Sequence, residues 1–253
     1  KIKSKYMLLG GRIKAAIEVL DDILNRKTPA TLALRDWGKS NRYAGSKDRS
    51  AIGNYVYDAL RCKNSLEFRM NNDKPRALIL GSAVFIGERT TEELFEAFEN
   101  NKHSPEQLTK DEILKLSGSI DLSGAPDWVR ADIPEWIWPA FENNFSDSAI
   151  DEGNALTKRP PLDLRVNTLK SNVSDVINEL KDKNIERCMI SSVGLRIAAS
   201  RADGRLPNIQ IEETYQTGAV EIQDEGSQIV SLLVDAKPGE TILDYCAGAG
   251  GKT

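Results

Sequence analysis

The residues best suited to chemistry stand near the end of the chain, in a run of small residues that includes Gly248, Gly250 and Gly251. The run follows the apolar segment 241–243, which predicts a short strand. A strand that leads into a glycine-rich turn is how nucleotide-binding α/β units begin, because glycines let backbone N–H groups approach a ligand. The sequence therefore predicts a cofactor loop at residues 246–252.

Two familiar phosphate-binding motifs do not fit this loop. A P-loop requires Gly-x-x-x-x-Gly-Lys-Ser/Thr, and counting back from Gly251-Lys252-Thr253 places Cys246 where the first glycine belongs. A dinucleotide fingerprint, Gly-x-Gly-x-x-Gly, fails because Thr253 stands where the third glycine belongs. A P-loop nucleotidase is therefore disfavoured.

Other kinds of site have little support. Cys62, Cys188 and Cys246 are far apart in sequence and form neither a metal-ligand spacing nor a disulfide framework. The single histidine, His103, sits in a polar run and is interpreted as a solvated loop residue. We expect no metal site and no Ser/His/Asp chemistry.

Positive charge is concentrated in the first part of the chain. Residues 1–70 carry 15 Lys and Arg against 7 Asp and Glu, whereas the remainder carries 19 against 31. Such an asymmetry is typical of a segment that meets a polyanion, although solvated helix faces would give the same count. Five cations fall within residues 35–49, and four of them are our candidates for RNA contact: Arg35, Arg42, Lys47 and Arg49.

The pattern of residues 1–120 predicts an all-helical domain. Apolar residues recur at helical spacing over 11–24 and from Ser46 onward. Thr28 and Pro29 are interpreted as the N-cap and first residue of another helix, and 75–86 as a mostly apolar helix. Thr90 and Thr109 each precede acidic residues, as at the start of a helix.

The later segments differ in pattern. Residues 121–150 are interpreted as a linker with short helices, whose aromatic residues at 136–145 are expected to be core. Strands predicted at 162–167, 187–191, 195–199 and 219–223, with helices at 174–183 and 226–236, indicate a small ferredoxin-like (RRM-like) α/β domain over 151–235. We expect residues 236–253 to begin a truncated Rossmann-like domain.

Residues 244–253 read Asp-Tyr-Cys-Ala-Gly-Ala-Gly-Gly-Lys-Thr. This run resembles the first motif of the Sun/Fmu (RsmB/NOL/NOP/Sun) family of RNA (cytosine-5) methyltransferases, Asp-x-Cys-Ala-Ala-Pro-Gly-Gly-Lys-Thr. Gly248 and Ala249 depart from that pattern; both keep the loop small, but the rigidity of proline is lost.

Three further segments are similar to the same family, in its order. Residues 165–170 resemble its Arg-Val-Asn-x-Leu-Lys segment, and 220–228 resemble the Val-Gln-Asp-x-x-Ser-Gln stretch before the catalytic sheet. Asp48-Arg49 and residues 57–61 look like the signature of the NusB-like helical domain that bacterial members carry in front.

The resemblance implies S-adenosyl-L-methionine as cofactor and RNA, most simply ribosomal RNA, as partner. It assigns the cofactor loop to Cys246, Ala247, Gly248, Ala249, Gly250, Gly251 and Lys252. It also points to RNA contacts at Arg165 and Asn167, although these residues could simply end a strand and hold a turn. Gln223 and Asp224 are expected to brace the sheet against the loop.

In the family, a cysteine thiolate adds to C6 of cytosine and C5 then takes the methyl group. The resemblance places both catalytic cysteines after Thr253, so none of the three cysteines is assigned a catalytic role. We expect this chain by itself to be inert, monomeric and cytoplasmic. The alternative is a stand-alone RNA-binding or antitermination module of the NusB kind, which the α/β half of the chain disfavours.

Overall fold

The computed structural model describes residues 7–99, 102–118, 121–199 and 206–252, which divide into two compact units. The first unit runs to Arg159 and the second begins at Pro160. The end of the predicted helical domain (119–120), residues 200–205 of the predicted α/β domain and Thr253 of the glycine-rich motif lie outside the described residues.

The first unit is helical throughout its described residues, which confirms the predicted all-α character. Its helices are α1 (Leu9–Arg26), α2 (Ala30–Ser40), α3 (Ser46–Arg61), α4 (Lys63–Met70), α5 (Pro75–Gly81), α6 (Thr91–Phe98), α7 (Lys110–Ser117), α8 (Asp127–Arg130), α9 (Trp138–Phe145) and α10 (Ala149–Thr157). A π-helical turn, Ser82–Ile86, follows α5. None of the helices in the described residues is long and apolar enough to cross a membrane.

The core of this unit forms where the apolar stripes of α1, α3 and α5 meet. Ile13 and Leu20 on α1 pack with Ile52 and Tyr55 on α3, and all four are fully buried. Close packing also fixes Gly10, since a Cβ there would stand 2.6 Å from the carbonyl oxygen of Ala97. Capping boxes at Thr90 and Thr109 start α6 and α7 as predicted, with each threonine hydroxyl accepting from the backbone three residues later.

A buried carboxylate ties α3 to the end of the first unit. The Asp58 side chain is 1% exposed and accepts hydrogen bonds from Arg61 (2.5 Å from Nη2) and from Arg159 (3.0 Å from Nε). Arg61 Nε also donates to the carbonyl oxygen of Thr157 at 3.2 Å. Two guanidinium groups thus compensate the desolvation of one carboxylate.

Two predictions for this unit were wrong, and one helix was missed. Pro29, not Thr28, is the N-cap of α2, because Lys27 adopts a left-handed conformation that ends α1 and Pro29 is extended. Helix α4 was missed, since it follows α3 directly and its apolar periodicity is weak. The aromatic residues of 136–145 are not core.

That aromatic segment lies at the surface, and α9 contributes no buried residue. Trp136 is 82% exposed and Phe145 is 41% exposed, whereas Trp138 and Phe141 are half-buried. The Trp138 and Phe141 rings stack with centroids 6.2 Å apart, and the Phe141 and Phe145 rings are tilted with centroids 4.7 Å apart.

The second unit has the predicted ferredoxin-like topology. Its elements are β1 (Leu162–Val166), α11 (Val173–Glu179), β2 (Ile185–Arg187), β3 (Gly194–Ile197), α12 (Glu213–Gln216), β4 (Val220–Ile222) and α13 (Glu225–Val234). The strands form an antiparallel sheet in the order β2-β3-β1-β4, with β1 between β3 and β4. This βαββαβ arrangement confirms the predicted fold of the α/β domain.

Alternation along β1 separates the two faces of this sheet. Leu164 and Val166 pack with Val176 and Leu180 of the α11 region into an apolar core. Asp163 and Arg165 point to the opposite face, which α13 partly covers.

Several boundaries of the second unit differ from the predictions. The second strand ends at Arg187, because residues 188–193 turn tightly: a Cβ at Gly194 would lie 2.8 Å from the Cβ of Cys188. The expected strand at 241–243 is absent, since no strand among the described residues pairs with it, and Leu243 is 82% exposed. The boundary predicted at 150 differs from the division at 159–160. The four-part domain division, the NusB-like unit and the Rossmann-like start stay predictions.

The Asp58 ion pairs should dominate the stability of the helical unit. Asp58→Ala leaves two half-buried guanidinium groups without their carboxylate, which we expect to cost about 3–5 kcal/mol. All four tryptophans of the chain lie in this unit, so urea unfolding followed by tryptophan fluorescence measures it. The matched control is Asp36→Ala, which also removes a carboxylate paired with two cations, Arg35 and Lys39, but at an exposed site. Equal unfolding midpoints for the two variants would contradict this account.

Candidate cofactor loop and RNA-contact surface

The polar face of the sheet is organised around the carboxylate of Asp163. Arg196 on β3 is its register partner and donates to it through two hydrogen bonds of 2.7 Å each. The backbone N–H of Glu225, the first residue of α13, donates to the same carboxylate at 3.0 Å. Asp163 therefore joins the two central strands to the start of α13.

Glu225 completes this network from the helix. One of its carboxylate oxygens accepts from the backbone N–H groups of Ile190 (2.8 Å) and Ser191 (3.0 Å), and the other lies 3.2 Å from Arg196 Nη2. The turn between β2 and β3 is thereby fastened to α13. Asp224 caps the helix by accepting from the N–H of Ser227.

The pKa values of both carboxyl groups lie below their usual range. Burial opposes ionisation of Asp163, but hydrogen bonds from Arg196 and from the Glu225 N–H outweigh it and lower its pKa. The pKa of Glu225 is lowered by the hydrogen bonds from the Ser191 and Ile190 N–H groups. The Cys188 thiol lies close to both carboxylates. We assign no metal here, because Arg196 already bridges Asp163 and Glu225.

A second, uncharged connection leads from the sheet to the glycine-rich loop. Gln228 on α13 donates to the carbonyl oxygens of Gln223 (2.8 Å) and Leu164 (3.2 Å), and accepts from the Ser191 hydroxyl (2.7 Å). Gln223 is 8% exposed; its backbone N–H donates to the carbonyl oxygen of Asp163 and its side-chain amide donates to that of Gly251. The expected bracing role of Gln223 is thus visible as a direct contact with the loop.

The loop itself is open and shaped by its glycines. Gly248 (φ 57°) and Gly250 (φ 79°) are in the left-handed region that favours glycine, and the Gly250 N–H donates to Ala247 at 2.8 Å. A Cβ at Gly248 would meet nothing within 4 Å, so space is available beside the backbone. The predicted cofactor residues other than Ala247 are exposed: Cys246, Gly248, Ala249, Gly250, Gly251 and Lys252.

The end of β1 carries the predicted RNA residues Arg165 and Asn167. Asn167 holds a turn: its side chain donates to the Gly218 carbonyl oxygen (3.1 Å) and accepts from the Leu169 N–H (3.1 Å). Arg165 is half-buried and stands opposite Glu221 in the register of β4. Asn167 therefore holds a turn, which was the alternative to RNA contact. RNA contact by Arg165 or Asn167 stays a prediction.

The four basic candidates of the helical unit lie near the junction of α2 and α3, and all are exposed. Arg35 pairs with Asp36 at 3.0 Å, and Lys39 approaches the same carboxylate, so part of the positive charge there is compensated. The Arg49 Nε donates to the carbonyl oxygen of Ala44 at 3.0 Å, which ties this side chain to the start of α3. Arg42 and Lys47 lie on either side of that turn.

Two of the three cysteines are poorly suited to nucleophilic attack. Burial raises the pKa of Cys62 to about 12, and burial together with Asp163 raises that of Cys188 to about 11. A thiol with such a pKa is almost fully protonated at neutral pH, so it supplies very little of the nucleophilic thiolate form. Cys246 is exposed in the loop.

The Asp163–Arg196–Glu225 network and Gln228 were not among the predicted site residues. The alternation of 162–167 places Asp163 on the polar face, but its pairing with Arg196 depends on the β1–β3 register, which the sequence does not reveal.

Comparisons with known proteins agree with this geometry. Residues 133–202 match the family model described as the ferredoxin-like domain of RsmF/B-like methyltransferases. The crystal structure of PH0851 shares the fold, with a TM-score of 0.51 and 20% identity over 94% of this chain and 58% of that one.

Curated relatives carry a consistent name. A probable ribosomal RNA small subunit methyltransferase B of Bacillus subtilis is 23% identical over 94% of this chain and 58% of its own length. A probable methyltransferase B of Synechocystis is 31% identical over 47% of this chain and 26% of its own length. The methyltransferase B of Pseudomonas syringae is 28% identical over 49% of this chain and 27% of its own. The matches thus cover between 26% and 58% of the length of these relatives.

The match to the ferredoxin-like domain of RsmF/B-like methyltransferases includes strands β1 to β3 of the second unit. Together with the curated relatives, which are ribosomal RNA small subunit methyltransferases B, this match supports the resemblance of the chain to the Sun/Fmu family.

The lowered pKa values of Asp163 and Glu225 predict an acid-sensitive α/β unit. A carboxyl group whose folded-state pKa is lowered stabilises the fold above its ordinary pKa of about 4, and the stability is lost as pH falls through the folded value. We expect the urea midpoint of this unit, followed through the NMR amide signals of β1 and β3, to fall below about pH 4.

Arg196→Met should lower the stability at pH 7 and flatten this pH dependence, because Asp163 loses the cation that keeps it ionised. The control is Arg187→Met, which removes an exposed arginine from the neighbouring strand β2. An unchanged acid transition in Arg196→Met would contradict the assignment.

Proposed function

We propose that this chain forms the RNA-binding portion and the first cofactor-binding loop of an S-adenosyl-L-methionine-dependent RNA (cytosine-5) methyltransferase that acts on small-subunit ribosomal RNA in the cytoplasm. One observation carries the proposal: a ferredoxin-like domain of the RsmF/B-like class is hydrogen-bonded through Gln223 to a loop that resembles the family's first motif. The names of the relatives support ribosomal RNA as substrate.

The loop fits a cofactor with a charged amino-acid portion. Its left-handed glycines leave backbone groups uncovered, and the open space beside Gly248 lets a ligand approach the main chain. Residues 246–252 would hold S-adenosyl-L-methionine, which supplies the methyl group when it is bound. The chain's own residues shape and fix the loop.

RNA would be held by both units. In the α/β unit, Arg165 offers a guanidinium group near the end of β1, beside the turn that Asn167 fixes. In the helical unit, which we propose to be NusB-like, Arg42, Lys47 and Arg49 offer an exposed positive surface, with Arg35 nearby but paired with Asp36. Contacts of this type bind the phosphate backbone and carry little sequence preference.

Catalysis requires a thiolate, and this chain is not expected to provide one at the base. The raised pKa values of Cys62 and Cys188 keep those thiols protonated, and Cys246 belongs to the cofactor loop. The role of the chain in the reaction is therefore to bind and orient RNA and cofactor.

A stand-alone RNA-binding module is the second candidate, and it is favoured by the placement of the basic residues in a compact helical unit. It would bind RNA without any response to S-adenosyl-L-methionine. The two candidates thus differ in whether residues 246–252 have a ligand.

The activity is tested by incubating the protein that contains this chain with tritiated S-adenosyl-L-methionine and small-subunit ribosomal RNA. We expect label in 5-methylcytidine after nucleoside analysis. The 253-residue chain alone should leave the RNA unlabelled, for lack of a suitable thiolate. Label in another nucleoside would contradict the proposed reaction.

RNA binding is tested by reversing three charges, Arg42→Glu, Lys47→Glu and Arg49→Glu, together. Each lost phosphate contact lowers the log–log salt slope by about 0.7 for a single strand, so the slope should fall by about 2 and affinity should drop sharply. Circular dichroism checks the fold, since Arg49 also ties the start of α3.

The control for this experiment is Lys110→Glu, an exposed residue at the start of α7. It changes the net charge without touching the proposed surface. A folded triple variant with the wild-type affinity and salt slope would show that the basic surface is only solvated.

A further inference from the structure

The glycine-rich loop is held by a pair of glutamines, Gln223 and Gln228, which we call the glutamine bridge. We propose that Gln223 is a positioning residue: it transmits the rigidity of the ferredoxin-like sheet to residues 248–252 and so presets the loop for the cofactor. The inference rests on the proposed function of the loop.

Both glutamines of the bridge are hydrogen-bonded to strand β1. Gln223 directly follows β4, and its N–H donates to Asp163 on β1. Its carbonyl oxygen accepts from Gln228, whose side chain also bonds to Leu164 and Ser191. Gln228 is 1% exposed, so water does not compete for these hydrogen bonds.

The loop makes few other hydrogen bonds to the described residues of the unit. Residues 248–252 are exposed and belong to no helix or strand. Besides the Gln223 contact with Gly251, the Ser231 hydroxyl of α13 donates to the Lys252 carbonyl oxygen at 3.1 Å. The buried amide of Gln223 is therefore the principal restraint on the glycines from the sheet side.

Gln223 also carries a buried hydrogen-bond acceptor. The Oε1 atom of Gln223 is buried, and it has no hydrogen-bond partner among the described residues. A buried acceptor without a partner carries an energetic cost. A donor brought to the loop, either a loop N–H that rearranges or the ammonium group of the cofactor, would relieve this cost. The same side chain thus restrains the loop and favours its occupied form.

The test uses Gln223→Met in this chain, because methionine fills a similar volume and cannot donate or accept in this way. Amide ¹⁵N relaxation measures the order of Gly248, Gly250 and Gly251. We expect order parameters near the rigid value of about 0.85 in the wild type, and below about 0.6 in the variant. The thermal midpoint should stay the same or rise, since the buried unpaired oxygen is removed.

Two further variants separate positioning from general damage. Ser231→Ala removes the weaker, exposed tether without disturbing the core, and should loosen only Gly251 and Lys252. Gln216→Ala removes an exposed glutamine from α12 and should change nothing. Unchanged loop order in Gln223→Met, or a loop that is already disordered in the wild type, would overturn the proposal.

A titration with S-adenosyl-L-methionine tests the consequence for the cofactor. The wild-type signals of Gly248 and Gly250 should shift at millimolar concentrations, and Gln223→Met should need several-fold more ligand. If neither protein responds but the loop order still falls, the proposed cofactor role fails and the restraint stands. If the wild type and Gln223→Met respond to the same ligand concentrations although their loops differ in order, Gln223 does not prepare the loop for the cofactor.

Discussion

The buried carboxylate of Asp163 is the interaction on which the α/β unit depends. It accepts from Arg196 across the sheet and from the N–H of Glu225 at the start of α13, while its backbone carbonyl accepts from Gln223. One residue in the middle of the fold thus fixes the strand register, the position of a helix and the segment that leads to the loop. A buried charge with this many donors tolerates few alternative arrangements, which is why it defines the geometry around it.

The helical unit also contains a buried carboxylate that is paired with arginines, Asp58. There the carboxylate is surrounded by Arg61 and Arg159, and the network ties α3 to the last residue of the unit. Neither network exposes a group to a substrate. Both hold in place the surfaces proposed to bind RNA and cofactor.

Sequence patterns predicted the parts of the fold that depend on local chemistry. Capping residues Thr90 and Thr109 located two helices, and the alternation of 162–167 located the central strand. Contacts between distant residues were harder. The turn at 188–193 is set by the close approach of Cys188 to Gly194, so the second strand was placed too late. The aromatic residues of α9 have core-like spacing, yet the helix lies at the surface and they pack against each other. For the site, the glycines of the loop were visible in sequence, whereas the network that supports them required the register of three strands.

The different environments of the three thiols also distinguish the loop chemically. Electrophilic reagents attack the thiolate form, and the raised pKa values of Cys62 and Cys188 suppress it at neutral pH. Cys246 is exposed and lies within the glycine-rich run. Mild alkylation therefore places a fluorophore or an isotopic tag at the mouth of the loop without any engineered substitution. The alkylation rate of Cys246 thereby reports whether the loop holds a ligand, since a ligand that covers the loop shields this sulfur from the reagent.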